Sequence, residues 1–107
     1  MAIHQSLAQG RWQEMSFAEQ MGNIGSEVSR ARSADARGDI ERRNRSIDRA
    51  LELVDLTVQN QTSRPRTREL ELLRNVIAHA RGTASAAHLE SIERYCVPFA
   101  LLARKQV

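Results

Sequence analysis

Four apolar stripes, each stepping by three and four residues and parted by short connections, constrain this chain more than anything else in it. Phe17, Met21, Ile24, Val28 and Ala31 make the first stripe, and Ile47, Leu51, Val54 and Val58 the second. Leu70, Leu73, Ile77 and Ala80 follow, then Leu89, Ile92, Cys96, Phe99 and Ala103. That period sets each group on one face of a helix, and nothing alternates with the period of two that a strand needs.

The breaks between stripes carry helix punctuation. SFAE from Ser16 is a capping box, in which Ser16 accepts from the backbone of Glu19 while Glu19 reaches back. The first helix runs to about Ala36, Gly38 stops it and Asp39 caps the second, which runs from Ile40 to about Asn60. QTSRP ends that helix and places Pro65 at the start of the third. Gly82 closes the third helix, and Thr83 or Ser85 caps the fourth.

The spacing therefore predicts an all-α fold, an antiparallel up-down four-helix bundle. Pro98 is expected to kink the fourth helix, since its ring removes one hydrogen bond and crowds the preceding turn. Residues 16–107 make the bundle domain and residues 1–15 an N-terminal extension that the fold does not need. Gly22 and Gly25 each weaken a helix by about 1 kcal/mol relative to Ala. Their place inside the first helix marks the close approach of a neighbour.

At 107 residues the chain suits a single domain with one core. Aromatic residues are only 4% against 41% hydrophobic, so Leu, Ile, Val, Ala and Met must fill that core. Cys96 is the single cysteine, which rules out an intramolecular disulfide, and its neighbours Tyr95, Val97 and Phe99 indicate packing and not a reactive thiol. A reducing, cytoplasmic setting is expected. MAIHQSLAQGRWQEM has no basic start followed by an apolar run, and no stretch approaches the length of a membrane span.

Several enzyme classes have no signature here: a phosphate-binding glycine loop, a nucleophile elbow and HExxH are all missing. Acidic residues fall at helix ion-pair spacings such as Glu90–Arg94 and not as paired catalytic carboxylates. His79 and His88 have no further ligands in a metal-binding pattern, so neither a metal nor a cofactor is expected.

The net charge is +3, and Lys105 is the only basic residue besides histidine that is not arginine. Arginine forks match phosphate and carboxylate alike. An up-down topology gathers Arg32, Arg37, Arg42, Arg43, His79, Arg81 and His88 at the end that holds the turns of Gly38 and Gly82. Asp35, Asp39 and Glu41 partly offset them. Arg37, Arg42, Arg43 and Arg81 are the expected anion-binding set, with nucleic acid as a candidate partner.

At the other end Leu53 and Leu56 lie off the inner line of the second helix, and YCVPFALLA is apolar around its whole circumference. Such a helix needs a second neighbour. A second copy of the chain would supply one, as would Leu7 to Met15 folding back with Trp12.

One short stretch carries a family resemblance. In LRNVIAHA, Arg74, Asn75 and His79 reproduce the spacing of Arg, a polar residue that is often Asn, three further residues and His. This resembles the signature of the HEPN superfamily, small helical bundles that include RNases and components of toxin–antitoxin systems. The resemblance implies metal-independent RNA cleavage in which a ribose 2′-hydroxyl attacks the adjacent phosphate. His79 would move the proton, Arg74 would stabilise the charge on phosphorus and Asn75 would orient the ring.

At 100° per residue Arg74 and His79 stand about 140° apart around a helix, so the pair would need a dimer or a local distortion to converge. The same residues also have an ordinary reading: Arg74 pairs with Glu71, and His79 and Arg81 offset the helix dipole in the last turn. SFAEQMGNIGSEV followed by RALELVDLTV is similar to a group of small bacterial helical proteins and brings no activity with it.

Two functions follow. One is an oligomeric helical interaction module that engages a protein or nucleic-acid partner. The other is a HEPN-like RNase or toxin–antitoxin component.

Overall fold

The computed structural model describes residues 10–59, 61–83 and 86–105, and all regular structure among them is helical. A short α1 spans Arg11–Glu14, followed by α2 at Phe17–Ala36, α3 at Ile40–Gln59, α4 at Arg64–Thr83 and α5 at Ala86–Lys105. Among the described residues no helix is long and apolar enough to cross a membrane.

The capping chemistry forms as the sequence dictates. Ser16 N donates to Glu19 Oε1 at 2.9 Å, and Glu19 N donates to Ser16 Oγ at 3.1 Å. Between α2 and α3, Gly38 has φ of 74°, a conformation that suits glycine, and Asp39 N returns to Ala34 O at 2.9 Å. Asp39 then caps α3, its Oδ1 accepting from Arg42 N at 3.0 Å. Ser63, not foreseen as a cap, accepts from Arg66 N at the start of α4, where Pro65 occupies the first turn. Helix α4 continues through Gly82 to Thr83, and Ser85, the other expected cap of α5, lies outside the described residues.

Helix α2 packs most extensively, against α5 and α3; α3 continues onto α4, and α4 meets α5 less closely. Met21, Ile24 and Val28 of α2 meet Ile47 and Val54 of α3, Leu70 and Ile77 of α4, and Leu89 and Ile92 of α5 in one buried cluster. The close α2–α5 seam depends on two glycines. A Cβ on Gly22 would stand 3.3 Å from Ala100 Cα, and one on Gly25 only 2.6 Å from Cys96 Cβ.

Two expectations need correction. Leu53, expected to point outward, is 2% exposed. The buried arc of α3 is wider than one stripe and includes Ser46, Leu53 and Thr57, because α2 and Trp12 both lie against it. Trp12, assigned to a dispensable extension, is 1% exposed and belongs to the core. Its indole Nε1 donates to Thr57 Oγ1 at 3.2 Å, and Gln20 Nε2 donates to its carbonyl at 2.8 Å. Residues 10–15 therefore pack as part of the domain, and Trp12 supplies part of the cover that the end of α3 requires.

Candidate functional site

Helix α4 carries the residues of the RNVIAH stretch on different flanks. Arg74 reaches α3, where Nε donates to Asp55 Oδ1 at 2.8 Å and Nη2 to Oδ2 at 3.4 Å. Seven residues on, Arg81 makes the same fork with Asp48, at 2.8 and 3.3 Å. Seven residues also separate Asp48 from Asp55, so the two rungs fit one antiparallel α3–α4 register. Each guanidinium pKa is raised, first by the hydrogen bond to its aspartate and then by that aspartate's charge. The expected Glu71–Arg74 pair gives way to Asp55 because Arg74 lies on the α3 flank, where Asp55 allows a bidentate fork.

His79 lies on the flank toward α5. Its ring meets His88 edge-on, with centroids 5.7 Å apart. Asn75 is exposed and its side chain makes no hydrogen bond among the described residues. Arg74, Asn75 and His79 thus do not share a cleft within one chain. This is what the 140° offset around the helix predicts.

The expected anion-binding set also divides. Arg43 is 6% exposed and acts as a strut of the α2–α3 hairpin, with Nη1 on Asp35 Oδ1 at 3.0 Å and Nε and Nη2 on Asn44 Oδ1 at 3.2 and 3.1 Å. Arg81 is engaged by Asp48, and Arg32 by Glu93 of α5 at 3.0 Å. Arg37 and Arg42 remain exposed, and they line an open groove between α2 and α3 together with Arg30, Arg45, Ser46 and Arg49. Its volume is about 360 Å³.

The arginines that sequence reasoning missed had a signal. Arg30 and the C-cap residue Arg37 are seven apart along α2, as are Arg42 and Arg49 on α3, and antiparallel helices bring such rows alongside.

A larger hollow of about 660 Å³ opens at the start of α4, but its Arg64 and Arg68 share it with Glu71 and with neutral residues. Among the described residues no group of three or more His, Cys, Asp or Glu is placed to hold a metal ion.

The other notable surface is apolar. Between α4 and α5 a groove of about 300 Å³ is lined by Leu72, Leu73, Val76, Ile92 and Tyr95, with Glu69 and Ser91 as its polar members. Leu73 and Ile92 form its buried floor, while Leu72 is 61% exposed, Val76 45% and Tyr95 39%. Leu102 is exposed two turns on from Tyr95, and Val97 and Leu101 are exposed on another side of α5. Leu56, expected to be exposed at the end of α3 beside the last turns of α5, is instead half-buried and packs on the core.

No family model, no curated protein and no solved structure matches the chain.

Proposed function

We propose that this chain is a non-catalytic helical interaction module that self-associates through the apolar surface of α4 and α5. On this reading α2 to α5 form an antiparallel up-down four-helix bundle, with α5 kinked at Pro98. The order of packing supports that topology, because helices adjacent in sequence are adjacent in space and α5 returns to α2. The observation that carries the function is the α4–α5 groove itself, in which Leu72, Val76 and Tyr95 stand exposed above a floor of Leu73 and Ile92.

The occupant we assign is a second copy of the chain. The surface holds both parts of a fit, projecting Leu72, Val76 and Tyr95 and a recess between them, and an isologous dimer needs one patch to complement itself. Burying these side chains on both protomers removes a contiguous apolar patch of the kind that marks interfaces. Within one chain Arg74 and His79 lie on opposite flanks of α4, so an RNase would need a dimer that joins Arg74 of one protomer to His79 of the other.

Sedimentation at micromolar concentration tests the reading. The wild-type chain should run as a dimer, and Leu72→Asp with Val76→Asp should run as a monomer of unchanged helicity. A wild-type monomer at high concentration, or a double variant that still dimerises, would overturn the α4–α5 interface.

A further inference from the structure

We infer that the groove between α2 and α3 is a binding site for a compact oligophosphate anion, an anion with two or more linked phosphate groups. This site is on a different face from the α4–α5 groove and does not depend on self-association. Arg30 and Arg37 form one wall, and Arg42, Arg45 and Arg49 with Ser46 form the other.

The charge balance of the groove favours an anion. Among the described residues two carboxylates answer its five guanidinium groups. Glu27 accepts from Arg49 Nε at 3.3 Å and lies 3.2 Å from Arg30 Nη1, and Asp39 is 3.8 Å from Arg42 Nε. Among the described residues Arg37 and Arg45 have no ion pair or hydrogen bond from their side chains. Glu27 is 5% exposed and holds Arg30 and Arg49 in place from beneath, while Ser46 Oγ accepts from Arg49 Nη2 at 3.1 Å. The walls are therefore partly ordered before any ligand arrives, and the two unpaired guanidinium groups leave the positive field uncompensated. Guanidinium forks are suited to the oxygens of phosphate.

The extent of the basic surface sets the size of the ligand. Each wall spans seven residues, about 10 Å along a helix. Beyond it the chemistry changes: the stripe holding Arg30 and Arg37 continues to Ser26 and Asn23, and the stripe holding Arg45 continues to Glu52. A long nucleic-acid backbone needs a basic track that continues, and single-strand recognition relies on aromatic stacking platforms. Among the described residues the groove has no aromatic lining. A short chain of phosphates fits both its length and its composition.

Calorimetry at low salt with inorganic tripolyphosphate, and separately with orthophosphate, reads the site directly. Tripolyphosphate should bind at least tenfold more tightly than orthophosphate. Arg37→Gln combined with Arg45→Gln should weaken it at least tenfold, and Arg81→Gln should leave it within twofold. Both arginines are exposed and unpaired, and circular dichroism should show the double variant folded as the wild type is. Absence of tripolyphosphate binding, equal affinity for orthophosphate, or an unaltered double variant would each overturn the proposal. So would a single-stranded RNA oligomer that outcompetes tripolyphosphate at equal phosphate concentration and needs the same two arginines, since that would make the site a nucleic-acid track.

Discussion

Arg74 of α4 holds Asp55 of α3 in a two-point fork, with Nε 2.8 Å from Oδ1 and Nη2 3.4 Å from Oδ2, and both side chains are nearly half exposed. That geometry directs the guanidinium to α3 and away from His79. It also makes Arg74 a register element, paired in the same manner as Arg81 with Asp48 one heptad away.

The rung should contribute little to stability, because water and salt screen an exposed ion pair. Arg74→Gln and Asp55→Asn, singly and together, should give a coupling energy of about 0.2–1 kcal/mol in denaturant titrations. The coupling should shrink as salt is raised to 1 M. A coupling above 2 kcal/mol would show the pair to be far less solvated than its exposure implies.

Gly25 faces Cys96 across the α2–α5 seam, and a Cβ there would sit 2.6 Å from the Cys96 Cβ. Gly25→Ala should therefore destabilise the fold even though alanine is the better helix former. The overpacking penalty of about 1–3 kcal/mol exceeds the propensity gain of about 1 kcal/mol at most. Because the clash involves Cβ and not sulfur, Cys96→Ala should not rescue it. Cys96→Gly should recover part of the loss, and thermal melts of the two double variants distinguish these outcomes.

Burial, with a smaller effect from the charge of Glu93, pushes the Cys96 thiol up from an ordinary value near 9.0 to about 12. A folded-state pKa raised above the unfolded value gives a stabilisation that is complete below pH 9 and lost as pH climbs toward 12. The unfolded chain releases a proton there that the folded chain keeps. Two measurements check this. At pH 8 an aromatic disulfide reagent should label Cys96 only as fast as the chain opens. Between pH 8.5 and 10.5, Cys96→Ala should lose less stability than the wild type.

Much of this architecture was legible because helix periodicity and capping are local. Ser16, Gly38 and Asp39 act as their types and spacings require, and Gly22 and Gly25 mark the tight seam that their cost in a helix implies. Leu53 was misplaced, and Trp12 was legible only as one of two possible covers, because burial depends on how many neighbours a helix gathers and a single stripe on α3 does not reveal the contribution of Trp12. The basic set was only half legible for a related reason. Composition and topology brought Arg37, Arg42, Arg43 and Arg81 to one region, but which of them meet a carboxylate depends on side-chain reach across the α2–α3 and α3–α4 seams. Arg43 and Arg81 are taken up there, and Arg30, Arg45 and Arg49 replace them in the groove.

Trp12 and Thr57 offer the sharpest test of where the domain begins. The indole donates to Thr57 Oγ1, and that hydroxyl donates to Leu53 O at 2.8 Å, so the chain of hydrogen bonds ends on the α3 backbone within the buried core. Trp12→Ala removes a large buried ring and should cost about 3–5 kcal/mol. Thr57→Val keeps the volume but leaves the indole N–H buried and unpaired, at about 1–3 kcal/mol. The two changes share a contact, so their effects in combination should sum to less than their separate values. Deleting residues 1–15 should destabilise the remaining chain by at least as much as Trp12→Ala does. Trp12 is the only tryptophan, so its fluorescence should be blue-shifted in the native state and should move red in the same transition that abolishes helical circular dichroism. A red shift at lower denaturant than the loss of helix would show the segment to be a separate, weakly attached extension after all.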